Sequence, residues 1–170
     1  LGAILAVVNL YYQELLKDKK QIFYLFISFV PTAIIGLFFY PLIKNYLLDN
    51  ISLTALSLFL GGIFIFFLPT TKKTLPAGRQ AQLSYFDYFK IGLFQSLSII
   101  PGTSRALMAI AGGLFSGLGL TESIKYSFLL AIPTIGAATV LDLYKNKEVI
   151  FSSPQNLTPF LVGFVLSFLT

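Results

Sequence analysis

Apolar residues fall along this chain in blocks separated by short polar stretches. Three of the blocks, Ile22 to Tyr40, Ile51 to Leu68 and Thr121 to Tyr144, are bounded by charged or turn-forming residues. Each approaches the roughly 20 mainly apolar residues that a helix needs to cross a bilayer. Leu1 to Tyr12 is apolar but short, and Leu157 to Thr170 is apolar to its last residue. Both read as helices cut through, so the chain is expected to be a piece of a longer polytopic protein. A signal peptide would show a basic start and a small-residue cleavage site, which Leu1 to Tyr12 lacks. The pattern therefore predicts an all-α, polytopic integral membrane protein. Its residues 1–170 form a single membrane domain, with spans at about 1–12, 22–40, 51–68, 121–144 and 157–170.

The charges sit in the intervening stretches, which read as loops. Gln13 to Gln21 holds Lys17, Lys19 and Lys20; Pro41 to Asn50 holds Lys44; Thr70 to Lys90 holds Lys72, Lys73, Arg79 and Lys90. Alternating spans put the first and third loops on one side, and the excess of lysine and arginine makes that side cytoplasmic. Lys145 and Lys147 pull against that assignment.

Residues 84–119 do not read as an ordinary span. Ser84 followed three residues later by Asp87 is a helix-capping signature, and an apolar helix is expected to run from there through Ile100. Pro101-Gly102 breaks it. After Arg105 a second apolar stretch, Ala106 to Leu118, runs into Gly112, Gly113, Gly117 and Gly119. Each arm is too short to cross alone, so the segment predicts a re-entrant helix-loop-helix hairpin with Pro101 to Arg105 at its tip. Irregular backbone at membrane depth is tolerated only where protein or a water-filled cavity satisfies it, so the tip marks a cavity. A faint internal echo, Val7-Val8-Asn9-Leu10-Tyr11 against Val140-Leu141-Asp142-Leu143-Tyr144, places similar residues at the ends of two apolar helices, each before a lysine-containing loop. It fits a repeat-built protein with two broken-helix hairpins.

Composition narrows the chemistry. Of the 170 residues 56% are hydrophobic and 11% charged, against about 25% charged in an average soluble domain. There is no cysteine and no histidine, which excludes disulfides, thiolate or imidazole metal ligands and a histidine base. Chemistry must come from Arg, Ser, Thr, Asp, Glu and Gln. The net charge of +5 lies in clusters beside apolar blocks, as membrane-flanking charge does, and does not call for nucleic acid.

The run from Gly92 to Arg105 carries the candidate site. An arginine flanked by apolar residues costs roughly 2.5 to 3.5 kcal/mol in a bilayer on insertion scales, so an anion should compensate Arg105. Gly102 allows close backbone approach. Thr103 and Ser104 add hydroxyl donors, and Arg105 offers a planar fork suited to phosphate oxygens. A helix starting near Ala106 would aim its free N–H groups at the same point. The plainer alternative is a Pro-Gly turn with Arg105 reaching the headgroups or a structural carboxylate. Gln95 and Ser98 fall on one helical face toward the cavity, where they would either bind the ligand or hydrogen-bond between helices.

The run GLFQSLSIIPGTSR, with AGGLFSGLGLTESIKYSFLLAIPTIGAATVLDLYK after it, resembles the second repeat of the undecaprenyl-diphosphate phosphatases, the bacitracin-resistance integral membrane proteins. LGAILAVV at the start matches in order, so the resemblance covers nearly the whole chain. It implies hydrolysis of undecaprenyl diphosphate to the monophosphate carrier used in cell-wall synthesis, in the bacterial inner membrane, by inverted repeats with opposed hairpins. It also implies a divalent cation, Mg²⁺ or Ca²⁺. Carried over by position, Arg105 is the phosphate-binding arginine, and Gly102 and Ser104 share its loop. The expected catalytic residues are Arg105 and Ser104, and the expected substrate contacts are Gln95, Ser98, Gly102, Thr103, Ser104 and Arg105, with no metal ligand among them. Two departures stand out. Ala106 and Ala109 replace residues that carry hydroxyls in the family pattern, and the first-repeat acidic pair and histidine are absent, so this chain alone is expected to be inactive.

The expected partners are a polyprenyl diphosphate lipid and the bilayer, with a homodimer left open. Two other classes stay in view, a transporter or flippase for an anionic lipid phosphate and a catalytically degenerate binding protein. Elsewhere Thr121 and Glu122 read as a helix cap with an acid in the first turn. Asp142 beside Tyr144 and Lys145 reads as an interfacial anchor, with metal ligation the lesser alternative.

Overall fold

A computed structural model describes residues 2–17, 19–42, 50–69, 83–145 and 154–169. Seven α-helices account for most of them: α1 (Gly2–Lys17), α2 (Lys19–Leu42), α3 (Ile51–Phe66), α4 (Tyr85–Ser96), α5 (Arg105–Phe115), α6 (Leu120–Lys145) and α7 (Pro154–Leu169). A 3₁₀ turn, Leu97–Ile99, follows α4. There is no strand among the described residues. The helices gather into two compact units. In one, α1 packs along α7, with Gly2 against Phe164 and Ser167 where a Cβ would not fit. The other holds residues 23–130 and contains the candidate site.

Two helices are long and apolar enough to cross a bilayer among the described residues. Lys20–Tyr40 has 21 residues at a mean hydropathy of 2.3, and Leu120–Lys145 has 26 at 1.5. Only 17% and 28% of their most apolar windows are buried inside the protein. The core helix of a soluble protein would bury its apolar side chains, whereas these present them outward, as lipid-facing helices do. At 1.5 Å per residue the first is about 31 Å long, close to the bilayer's hydrocarbon thickness. Within the stretch 51–68, where a span is expected, the helix is the 16-residue α3, about 24 Å long and shorter than those two.

The segment from Ser84 to Gly119 folds as an antiparallel pair of short helices. At its start Ser84 and Asp87 form the expected capping box: Ser84 Oγ accepts from Asp87 N and Asp87 Oδ2 accepts from Ser84 N at 3.1 Å. The Asp87 carboxyl lies below its ordinary pKa range, above all because the Ser84 hydroxyl donates to it, with Lys90 Nζ 3.1 Å from Oδ1 adding to the effect. The pair closes through Gly112, which sits against Ile91 and Phe94 where a Cβ would not fit. Phe94 and Phe115 stack with centroids 5.4 Å apart, and Ser116 Oγ donates to Asp87 O at 3.3 Å. The end of α5 therefore lies beside the start of α4. A Schellman motif stops α5: Leu118 N donates to Gly113 O and Gly117 N to Leu114 O, with Gly117 at φ +91°. With 12 and 11 residues, the arms are about 18 and 17 Å long.

Four local expectations need correction. Gln13 to Gln21 is helical wherever it is described, because Gln, Glu, Leu and Lys are good helix formers and no Gly or Pro interrupts them. For the same reason Val7 to Tyr11 does not end a helix, as α1 continues to Lys17. The arm expected to be α-helical through Ile100 tightens to 3₁₀ after Ser96. Helix α6 starts one residue before Thr121, with Ser123 N bonded to Gly119 O, so the cap is Gly119 and the Glu122 carboxylate folds back over it. The loop expectations at Lys44, Lys72, Lys73, Arg79 and Lys147 lie outside the described residues.

Candidate functional site

The tip of the helix pair is built by its sequence. Pro101 fixes one φ, Gly102 takes φ +92°, and Thr103 N donates to Ile100 O at 3.1 Å. That is a type II turn, with proline and glycine at the two positions that favour them. The hydrogen on Gly102 that would be a side chain in any other residue points at the Thr54 carbonyl and at Ser57 of α3. Close approach is thus required, as the sequence suggested, but the partner is the backbone of another helix.

Beyond the turn, Ser104 caps α5. Its Oγ accepts from Leu107 N at 3.3 Å, and its carbonyl accepts from Met108 N at 3.0 Å. The N–H groups of Arg105 and Ala106, in the first turn, have no intrahelical acceptor. Ser104 is exposed. Its oxygen accepts at the cap, which leaves the hydroxyl proton available to an acceptor outside the protein. Thr103 is placed differently, because its hydroxyl faces back to the carbonyls of Leu97 and Ile100. One proton shared between two carbonyls closes the turn, leaving only lone pairs facing outward.

Arg105 is half-buried and reaches α6, where Nη1 donates to Ser127 O at 3.2 Å. Ser127 is itself buried, its hydroxyl donating to Ile124 O at 2.8 Å. One edge of the guanidinium is thus tethered to a helix backbone, which restricts the fork before any ligand arrives. A carbonyl supplies no compensating negative charge, so the demand for an anion persists.

Gln95 is fully buried on α4. Its Nε2 donates to Thr32 Oγ1 at 3.2 Å, and Thr32 Oγ1 donates onward to Gly92 O at 3.1 Å. The amide oxygen of Gln95 has no hydrogen-bond partner among the described residues. Its nitrogen therefore does the interhelical bonding that was one of its two readings, and its oxygen is still open to a donor. Ser98 lies half-buried in the 3₁₀ turn, where the change of helix type ends the shared α-helical face. The structure thus brings Gly102, Thr103, Ser104 and Arg105 together at one turn with α3 and α6 against it. Sequence reasoning missed Ser127, whose contribution is a backbone carbonyl, and Thr32, a single hydroxyl in an apolar span. A backbone oxygen leaves no mark in the sequence, whereas the Thr32 hydroxyl inside an apolar helix was an available signal.

Among the described residues no group of three or more acidic side chains could hold a metal ion. The described residues alone therefore do not complete a site for the divalent cation that the resemblance implies. Asp142 is exposed near the end of α6. Ala109 is buried a turn into α5, so a hydroxyl at that position would face the helix packing and not the open turn.

Compared with known proteins, the whole chain, residues 1–170, matches the family described as bacitracin resistance protein BacA. It is 41% identical over 171 residues to an undecaprenyl-diphosphatase of Aquifex aeolicus and 41% identical over 172 residues to one of Campylobacter hominis. It is 37% identical over 180 residues to another of Nitrosospira multiformis. These alignments cover 100%, 99% and 100% of this chain but 66%, 66% and 65% of the relatives. The chain thus spans a little under two thirds of the length of the curated proteins it matches.

Proposed function

This chain belongs to the bacitracin resistance protein BacA family, and from that membership we propose that its Pro101–Arg105 turn is the diphosphate-binding loop of an undecaprenyl-diphosphatase. In the reaction, water attacks the terminal phosphorus, the bond to the bridging oxygen breaks, and inorganic phosphate leaves the lipid monophosphate behind. The observation that carries the reading is the Arg105 fork, pre-oriented by the Ser127 carbonyl at the N-terminus of α5. Its remaining N–H groups, the Ser104 hydroxyl and the first-turn N–H groups of α5 are donors suited to the oxygens on which charge accumulates.

Ser104 acts in this reading as a hydrogen-bond donor to a phosphate oxygen. Its oxygen is occupied by the helix cap, and the chain has no histidine to activate it. Inorganic phosphate released from undecaprenyl diphosphate by the protein carrying this chain, in detergent, tests the activity. Translocation of the lipid in liposomes without phosphate release would instead support a flippase.

The reading extends to the membrane. The α4–α5 pair is taken to re-enter the bilayer from one face and return, as one of two opposed hairpins in an inverted repeat of a plasma-membrane protein. Arms of about 17–18 Å against a hydrocarbon layer of about 30 Å, and the contact of Ser116 with Asp87, support it. These 170 residues hold no cysteine, so they add no background to the labelling. Single cysteines at Ser84 and Thr121 should be labelled by an impermeant thiol reagent from the same side of the membrane. Labelling from opposite sides would mean that the segment crosses.

A further inference from the structure

A second polar cluster lies in the same unit, among helices that hold the loop. Tyr126 and Ser28 are 1% and 0% exposed. Tyr126 Oη lies 2.7 Å from Ser28 Oγ and 3.0 Å from Tyr24 O, while Ser28 Oγ lies 2.7 Å from Tyr88 O. Two hydroxyls supply two protons for three short contacts. Ser28 has one proton, and the only acceptor that cannot donate back to it is the Tyr88 carbonyl. The phenol proton is then shared between Ser28 Oγ and Tyr24 O, with the shorter contact to Ser28. The result is a directed chain from Tyr126 on α6 through Ser28 on α2 to the backbone of α4. Aromatic packing holds its ends, with Tyr24 stacked on Tyr88 at 4.2 Å and 7° and Tyr126 beside Tyr88 at 5.6 Å.

The residue after Tyr126 is Ser127, whose carbonyl holds Arg105. A carbonyl in a helix cannot move without its helix, and one residue of a helix is worth a rotation of about 100° and a rise of about 1.5 Å. Whatever fixes α6 at Tyr126 therefore fixes the anchor of the guanidinium. We propose that Tyr126, acting through Ser28, is a positioning residue for Arg105: the hydroxyl pair sets the rotation and height of α6, so that the Ser127 carbonyl presents the fork to the diphosphate. This rests on the reading of the loop given above. Tyr126 touches no substrate in this account.

A double-mutant cycle tests it, with kcat/KM for undecaprenyl diphosphate and thermal unfolding measured on the protein carrying this chain. Tyr126→Phe keeps the ring and its packing and removes only the hydroxyl. It should lower kcat/KM by about tenfold, the effect of losing one buried hydrogen bond. In an Arg105→Lys background the same change should alter kcat/KM by less than about twofold, because there is no fork left to position. Ser28→Ala leaves the phenol bonded to Tyr24 O and should give a smaller loss with the same dependence on Arg105, which keeps the test intact if the tyrosine variant fails to fold. Equal losses in both backgrounds would show a merely structural role and overturn the proposal, as would no loss from Tyr126→Phe. If Arg105→Lys itself left turnover unchanged, the loop reading and this one would fall together. Arg105 sensitivity with additive effects of Tyr126 and Ser28 would remove this one alone.

Discussion

Replacing Arg105 by lysine is expected to lower phosphate release from undecaprenyl diphosphate by at least about a hundredfold, although the positive charge is kept. The guanidinium uses one N–H at Nη1 to hold the Ser127 carbonyl. Its rigid plane then carries the other N–H groups to fixed positions, where two can meet phosphate oxygens side by side. An ammonium has three donors on a flexible stem and no plane, so holding Ser127 no longer orients the rest. The interaction lost is one that strengthens as charge gathers on the departing phosphate, so the deficit should appear in kcat as well as in KM. Near-normal turnover by the lysine variant would mean that the fork geometry is irrelevant.

Gly102→Ala should be almost as damaging, for a reason of packing. At φ +92° an L-residue carries a penalty of about 1–2 kcal/mol. A Cβ would also be driven into the Thr54 carbonyl and to 3.1 Å from Ser57 Cβ. Helix backbone cannot yield as a side chain would, so the turn must move and take Ser104 and Arg105 with it. A displacement of about 1 Å in a positioning group can cost about a hundredfold in rate. The variant should lose activity on that scale and unfold at lower temperature. Gly62→Ala on α3, where a Cβ would meet nothing within 4 Å, serves as the control and should keep both. Unchanged turnover in Gly102→Ala would show that the turn is not held against α3 as described.

How much of this was legible in the sequence differs from element to element. Ser84 with Asp87, and Pro101 with Gly102, were readable because capping boxes and type II turns are made by adjacent residues whose chemistry is local. The run around Arg105 marked the candidate site because a lone arginine among apolar residues needs an explanation. The start of α6 was misplaced by its caps, since Gly119 and Thr121 are both acceptable and only the Schellman end of α5 decides between them. The stretch through Lys17 and Lys19 suggests a loop by its charge alone, because charge reports a polar surrounding and says nothing of backbone. The support of the site was hidden for a different reason. Ser28 and Tyr126 are 98 residues apart, Arg105 bonds to a backbone oxygen that any residue would offer, and hydropathy does not distinguish an apolar side chain facing lipid from one facing protein.

The central claim is that the turn from Pro101 to Arg105 binds a diphosphate, and binding can be read without turnover. A cysteine placed at Thr103, whose hydroxyl faces back into the turn, should be the only thiol in the chain. Its rate of reaction with a soluble maleimide should fall by about tenfold or more when a non-hydrolysable methylene-bridged polyprenyl diphosphonate is present above its Kd. That protection should vanish when Arg105→Lys is added. Labelling at the same rate with and without the diphosphonate, in protein that keeps Arg105, would contradict the account.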